Sequence, residues 1–191
     1  MAFTQRDLQS FAGAVVDDLL PTPLRLLVVG INPSLWTAAT GAHFARPGNR
    51  YYPALARAGI ISHPFDASEG YRPQDLAELH RLGIGNTNLV ARATARADEL
   101  SRDELRAGAD RLRALVAQLR PPVVAVLGIT AYRQAFGQPR AQLGEQPEGL
   151  AGARLFVLPN PSGLNAHESV DSLAEAYARA ASAAGIPTAL T

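Results

Sequence analysis

Leu24-Arg25-Leu26-Leu27-Val28-Val29-Gly30-Ile31-Asn32-Pro33-Ser34 is an apolar run that breaks at a glycine and ends in an Asn-Pro-Ser turn. Its apolar residues are continuous rather than alternating, as in a strand covered on both faces, so Leu24 to Gly30 reads as a buried strand. The pattern recurs near the other end of the chain, where Arg154 to Pro159 is followed by Asn160-Pro161-Ser162-Gly163-Leu164-Asn165. Val123 to Gly128 is a third such run, and Gly83 to Thr87 a weaker fourth. Helical patterns lie between them. Residues 4–20 carry Leu8, Phe11, Val15 and Leu19 near helical spacing, and Asn49 to Ala58 and Pro73 to Leu82 read as short helices, the second with Pro in its first turn. Ser101 and Glu104 form a capping box ahead of a helix to Leu119, which Pro121-Pro122 stops. Thr130 to Phe136 is a short helix, and a last one spans Glu168 to Ala184 before Gly185. The segment 137–152, rich in Gly, Pro and Gln, reads as a surface loop.

Alternating strands and helices predict one α/β domain, a three-layer sandwich around a central, mainly parallel four-stranded sheet. Ligands bind such sheets beyond the carboxyl ends of the strands, which is where both Asn-Pro-Ser turns fall. Pro holds each preceding Asn extended, and Asn offers an acceptor and two donors without charge, suited to a water or a base edge. Either turn alone is also a good Asx turn with purely structural work.

Composition removes several chemistries. The 191 residues contain no cysteine, so disulfides, thiolate nucleophiles, iron–sulfur clusters and Cys-based zinc sites are excluded. All 18 basic side chains are arginine; without lysine, no side-chain amine exists to form an imine, and only the N-terminal amine remains for that chemistry. A net charge of +1 is no electrostatic footprint of a nucleic-acid binder, yet a small enzyme with a local basic rim needs none. Apolar runs fall well short of the ~20 residues that span a bilayer. Residues 1–20 lack a basic-then-apolar leader, so a cytoplasmic monomer with no membrane contact is expected. His43, His63, His80 and His167 have no metal-ligand spacing, and no metal or cofactor is expected. His43 reads as a surface histidine and Trp36 as a packed aromatic, while Arg46, Arg50, Arg92 and Arg96 lie near the proposed mouth as candidates for phosphate contact.

Taken together, Gly30-Ile31-Asn32-Pro33-Ser34-Leu35, Thr40-Gly41, Phe44-Ala45, Pro47 and Asn49-Arg50 resemble the first signature of the mismatch-specific uracil-DNA glycosylase family, which includes thymine-DNA glycosylase. Leu158-Pro159-Asn160-Pro161-Ser162-Gly163-Leu164 is similar to its second, and Thr87, Leu89-Val90 and Leu127-Gly128 also match. The resemblance implies an enzyme that flips uracil from a G·U mismatch in double-stranded DNA and hydrolyses its N-glycosidic bond. It makes Asn32 the residue that positions the hydrolytic water and Phe44 the aromatic that stacks on the flipped base. Backbone groups of Ile31 and Ser34 would meet the uracil edge, with Asn160 the second-motif asparagine. Ser162, Gly163, Leu164 and Asn165 would form the DNA wedge. Three positions depart from the family: Ser34 stands where Gly is frequent, Ala91 where Asp is, and Ala166 where Arg is. Ser34 is expected to crowd C5 of the base. A sister glycosylase for another deaminated base, and a non-catalytic nucleotide-binding α/β module, are the alternatives. The Gly30-Ile31-Asn32 turn lacks dinucleotide and P-loop patterns.

Overall fold

The computed structural model describes residues 3–190. Strands β1 (Leu26–Gly30), β2 (Ile84–Asn88), β3 (Val123–Leu127), β4 (Gly144–Leu150) and β5 (Ala153–Leu158) form one sheet in the order β2-β1-β3-β5-β4. The first four neighbours in that order run parallel, and β4 is antiparallel to β5 at the edge. Successive β1 residues explain the uninterrupted apolar run. Leu26 and Val28 face a core shared with α3 (Tyr51–Arg57), α4 (Pro73–Leu82) and α7 (Val170–Ala183), while Leu27 and Val29 face a second core under α5 (Arg102–Leu119) and α6 (Ile129–Phe136). Fully burying such a side chain stabilises by about 1.5–3 kcal/mol, which a strand covered on one face gains only at alternate positions. The expected three-layer α/β arrangement is therefore present.

Three expectations need correction. The sheet has five strands, not four, because part of the 137–152 segment is β4. Gly144, Pro147 and Gly149 hide it from propensity, and an edge strand tolerates a proline that a central strand would not. The N-terminal helix of residues 4–20 shrinks to α1 (Gln5–Gln9), which buries none of its residues. Turns follow as far as Gly13, and beyond them no helix resumes before β1. Gly13 N–H donates to the Ala93 carbonyl, and Leu19 exchanges two backbone hydrogen bonds with Asn86 along the free edge of β2. Val15 is 71% exposed, so the near-helical spacing there marks no buried face. A helix not anticipated, α2 (Leu35–Thr40), starts at once after the first Asn-Pro-Ser turn with the Ser34 side chain as its cap. No helix is long and apolar enough to cross a membrane among the described residues.

Candidate active site

The carboxyl ends of β1, β2, β3 and β5 open on a cleft of about 550 Å³. Gly30 to Ser34, Phe44, Asn88, Asn160, Ser162 and Leu164 all line it, so both sequence motifs meet in one place. Thr94 to Asp98 form the opposite lip.

Asn32 is held more firmly than a turn requires. Its Nδ2 faces three acceptors, the Pro33 carbonyl (3.1 Å), the Arg92 carbonyl (3.1 Å) and Thr94 Oγ1 (2.7 Å), which share its two protons. Thr94 spends its one hydroxyl proton on the Arg96 carbonyl (2.7 Å), so it offers Asn32 only a lone pair. Three acceptors surrounding one atom admit nitrogen and exclude oxygen. The amide cannot flip, and Oδ1 remains as an acceptor without a hydrogen-bond partner among the described residues.

Asn88 is the opposite case. It lies 6% exposed at the end of β2 and lines the cleft, and neither of its amide atoms has a hydrogen-bond partner among the described residues. A Cβ on Gly30 would fall 2.5 Å from Asn88 Oδ1 and 3.5 Å from Phe44 Cε1, so only glycine leaves room there. Behind Asn88, α5 clamps the strand end: Arg111 donates to the Asn88 and Leu89 carbonyls, and a Cβ on Gly108 would overlap the Leu89 carbonyl. Asn88 and Thr94 belong to neither Asn-Pro-Ser motif, and sequence reasoning does not single them out. The available signal was Asn86-Thr87-Asn88, three polar residues closing a wholly buried strand.

Phe44 takes a left-handed backbone conformation (φ 58°), which a bulky residue adopts only under constraint from its surroundings. Its ring lies against Tyr51 with centroids 4.1 Å apart, which braces it on that side, and the residue lines the cleft. His43 beside it is not on the surface: it is 2% exposed. Its backbone N–H donates to the Tyr71 hydroxyl and its carbonyl accepts from Tyr52, so two core tyrosines pull it inward. Its Nε2 donates to the Asp17 carbonyl (3.1 Å), and burial pushes its pKa down, so the ring is neutral.

Ile31 gives its carbonyl to Val90 N–H, which fixes the turn against the chain following β2. Ser34 Oγ accepts from Thr37 N–H and lies 3.1 Å from Thr37 Oγ1, so the side chain expected near C5 of a base is engaged as a helix cap. Asn160 Oδ1 accepts from Ser162 N–H in an Asx turn, which leaves Nδ2 at the cleft. Asn165 is tied internally, with Nδ2 to the Asn160 carbonyl and Oδ1 to His167 N–H. Leu164 is 74% exposed at the cleft rim, and Gly163 beneath it approaches the Gly48 carbonyl too closely for any Cβ. Trp36 is packed, its Nε1 donating to the Ser68 carbonyl.

Of the arginines near the mouth, three are already engaged. Arg92 pairs with Glu104, holding that carboxyl down at about 2, and Arg96 pairs with Asp98. Arg50 binds carbonyls of residues 162–168. Arg46 lines the cleft. Among the described residues no three of His, Asp or Glu converge as metal ligands.

A locked asparagine, a braced aromatic and an unpartnered buried amide around one cleft suit a planar, polar-edged ring. The chain matches the family described as the uracil DNA glycosylase superfamily over residues 18–181, most of its length, and it belongs to that superfamily.

Proposed function

We propose that this DNA glycosylase for deaminated bases is the monofunctional, mismatch-directed kind, acting as a monomer on uracil opposite guanine in duplex DNA and leaving an abasic site. The observation that carries the reading is the Asn32 amide, whose three-acceptor cage leaves Oδ1 as the open acceptor of a residue that lines the cleft. Such an atom orients a water by accepting one of its protons, and it is no general base.

The chemistry follows from leaving-group stabilisation. Flipping costs a few kcal/mol, less for a G·U pair than for a proper pair, and this favours the mismatch. The flipped uracil stacks on Phe44, while backbone groups of Ile31 and Ser34, with the Asn88 and Asn160 amides, meet its polar edge. The C1′–N1 bond breaks with its electron pair going to uracil N1, and donors fixed around the ring stabilise that anion as it forms. The water held by Asn32 adds its oxygen to C1′ and releases a proton to solvent. No group of the cage accepts that proton, so the rate rests on positioning and on the anion, and turnover is slow. Leu164, carried by Ser162, Gly163 and Asn165, enters the stack where the base has left.

Single-turnover assays on G·U, G·T, A·U and single-stranded uracil, followed by alkali, test this. G·U should be cut fastest, with breakage dependent on alkali, and Asn32→Ala should slow excision by about two orders of magnitude or more. Native-like excision by Asn32→Ala, or excision of hypoxanthine but not uracil, overturns the assignment.

A further inference from the structure

We propose that Arg50 is the positioning residue of the DNA wedge, holding the 162–168 loop in its inserting shape before DNA arrives. The inference rests on the reading of Leu164 as the wedge. Arg50 Nη2 donates to the Ser162 carbonyl (2.6 Å) and the Asn165 carbonyl (2.7 Å), and Nη1 donates to the Glu168 carbonyl. The first two bracket Leu164. The Arg50 backbone N–H also donates to the Pro161 carbonyl (2.9 Å), so one residue holds the loop at four points from its root to its far end.

Within itself the loop is held by short-range turn bonds, Ser162 N–H to Asn160 Oδ1, Asn165 N–H to the Ser162 carbonyl and Asn165 Nδ2 to the Asn160 carbonyl, and these do not anchor it to the rest of the fold. It contains no helix or strand, and Leu164 itself is 74% exposed. An apolar side chain standing in water gains nothing from that exposure, so the backbone beneath must impose it. Two features do. Gly163 lies against the Gly48 carbonyl, 2.7 Å from where a Cβ would sit, which presses the loop onto the segment that leads into Arg50. The guanidinium then collects carbonyls that would otherwise turn to water. Its planar fork spans separated acceptors, which a lysine ammonium does not do. Arg50 Nε is buried with no acceptor, and the described residues give Arg50 no ion pair. Its polar contacts are therefore spent on the loop rather than on a carboxylate or open water. Ordering the loop in advance removes an entropy cost from the step in which the duplex opens.

The test is a double-mutant cycle between Arg50→Gln and Leu164→Ala, read as single-turnover excision from G·U duplex and from single-stranded uracil. Stopped-flow fluorescence of 2-aminopurine beside the uracil reports flipping. Arg50→Gln keeps two donors but loses the span. It should slow duplex excision and flipping on the order of tenfold, with a much smaller effect on the single strand. The double variant should be no slower on duplex than Leu164→Ala alone, because both changes disable one device. If Arg50→Gln does not fold, as thermal unfolding would show, Arg50→Lys carries the same test with the charge kept. Losses that add, or that fall equally on both substrates, overturn the role of Arg50 while the wedge stands. If Leu164→Ala itself shows no duplex-selective loss, the wedge reading fails first.

Discussion

Replacing Asn32 with aspartate looks like an improvement, since a carboxylate is a better base than an amide. The cage around Asn32 predicts the reverse. Nδ2 faces the Pro33 carbonyl, the Arg92 carbonyl and Thr94 Oγ1, none of which offers a proton in that direction. In Asn32→Asp an anionic oxygen meets those three lone pairs. Donor hydrogen bonds worth ~1 kcal/mol each are lost and repulsion replaces them. Asn32 is only half-buried, so water relieves part of this, and a net penalty of about 1–3 kcal/mol is expected at pH 8. Protonating the carboxyl restores one donor to the cage and leaves the second oxygen where Oδ1 stood. The surroundings therefore raise the pKa of the new carboxyl in the folded protein. A raised carboxyl binds more protons folded than unfolded, so stability falls as pH rises through its titration and recovers toward acid.

The assay is single-turnover excision from a G·U duplex between pH 5 and 8.5, with thermal unfolding over the same range. Relative to the native protein, Asn32→Asp should be about five- to 150-fold slower at pH 8, the kinetic equivalent of that penalty. The deficit should narrow toward pH 5, and the difference in melting temperature should narrow with it. Residue 32 as a general base predicts a rate that climbs with pH and overtakes the native enzyme in alkali. That outcome would refute the positioning role.

Leu164→Ala should leave the melting temperature unchanged, because the side chain is 74% exposed, yet slow duplex excision by about ten- to a hundredfold, or ~1.5–3 kcal/mol; a drop in melting temperature would make Leu164 a packing residue instead. Burial lowers the His43 pKa below its ordinary 6.5, so the unfolded chain takes up a proton there that the folded one refuses. Stability should therefore decline as pH falls below about 6.5, by at most ~1.4 kcal/mol per pH unit, and His43→Gln should flatten the decline in a calorimetric pH series. With no lysine in the chain, borohydride should trap no side-chain adduct with abasic DNA, and any adduct that survives blocking of the N-terminus contradicts this.

The sheet was legible because burial on both faces leaves a direct trace in sequence, and β1, β3 and β5 are continuous apolar runs. β2 reads weakly because its last three residues are the polar Asn86-Thr87-Asn88, of which Asn86 accepts from the Tyr51 hydroxyl and Asn88 lines the cleft. The edge strand β4 was hidden by glycine and proline, which exposed antiparallel edges accept. His43 was misjudged because nothing local marks it as buried. Its two backbone partners, Tyr52 and Tyr71, lie nine and 28 residues further along the chain. The mouth arginines carry the same difficulty. Arg92, Arg96 and Arg50 look alike in sequence, and only the fold shows that a carboxylate holds the first two and carbonyls the third.

Asn32 and Asn88 sharpen that point, because one residue type does two jobs. Asn88 ends β2, Asn32 lies in the turn just past β1, and both line the cleft. Asn32 must present a single atom in one orientation, and its neighbours are all acceptors, so the amide has no second state. In the proposed reaction Asn88 meets a ring edge carrying both an N–H and a carbonyl. Its neighbours supply space rather than partners, with Gly30 on one side and Phe44 beyond it. What is fixed there is the backbone, through Arg111 and Gly108, while the side chain keeps its donors and acceptor for the ligand. The Asn88 amide has no protein partner among the described residues yet is not sealed from the cleft, so water meets it in the empty protein. In the proposed reaction a base edge takes the place of that water, so the amide is a source of selectivity. A ligand without a complementary edge would bury the amide still unsatisfied, and would be refused for that reason.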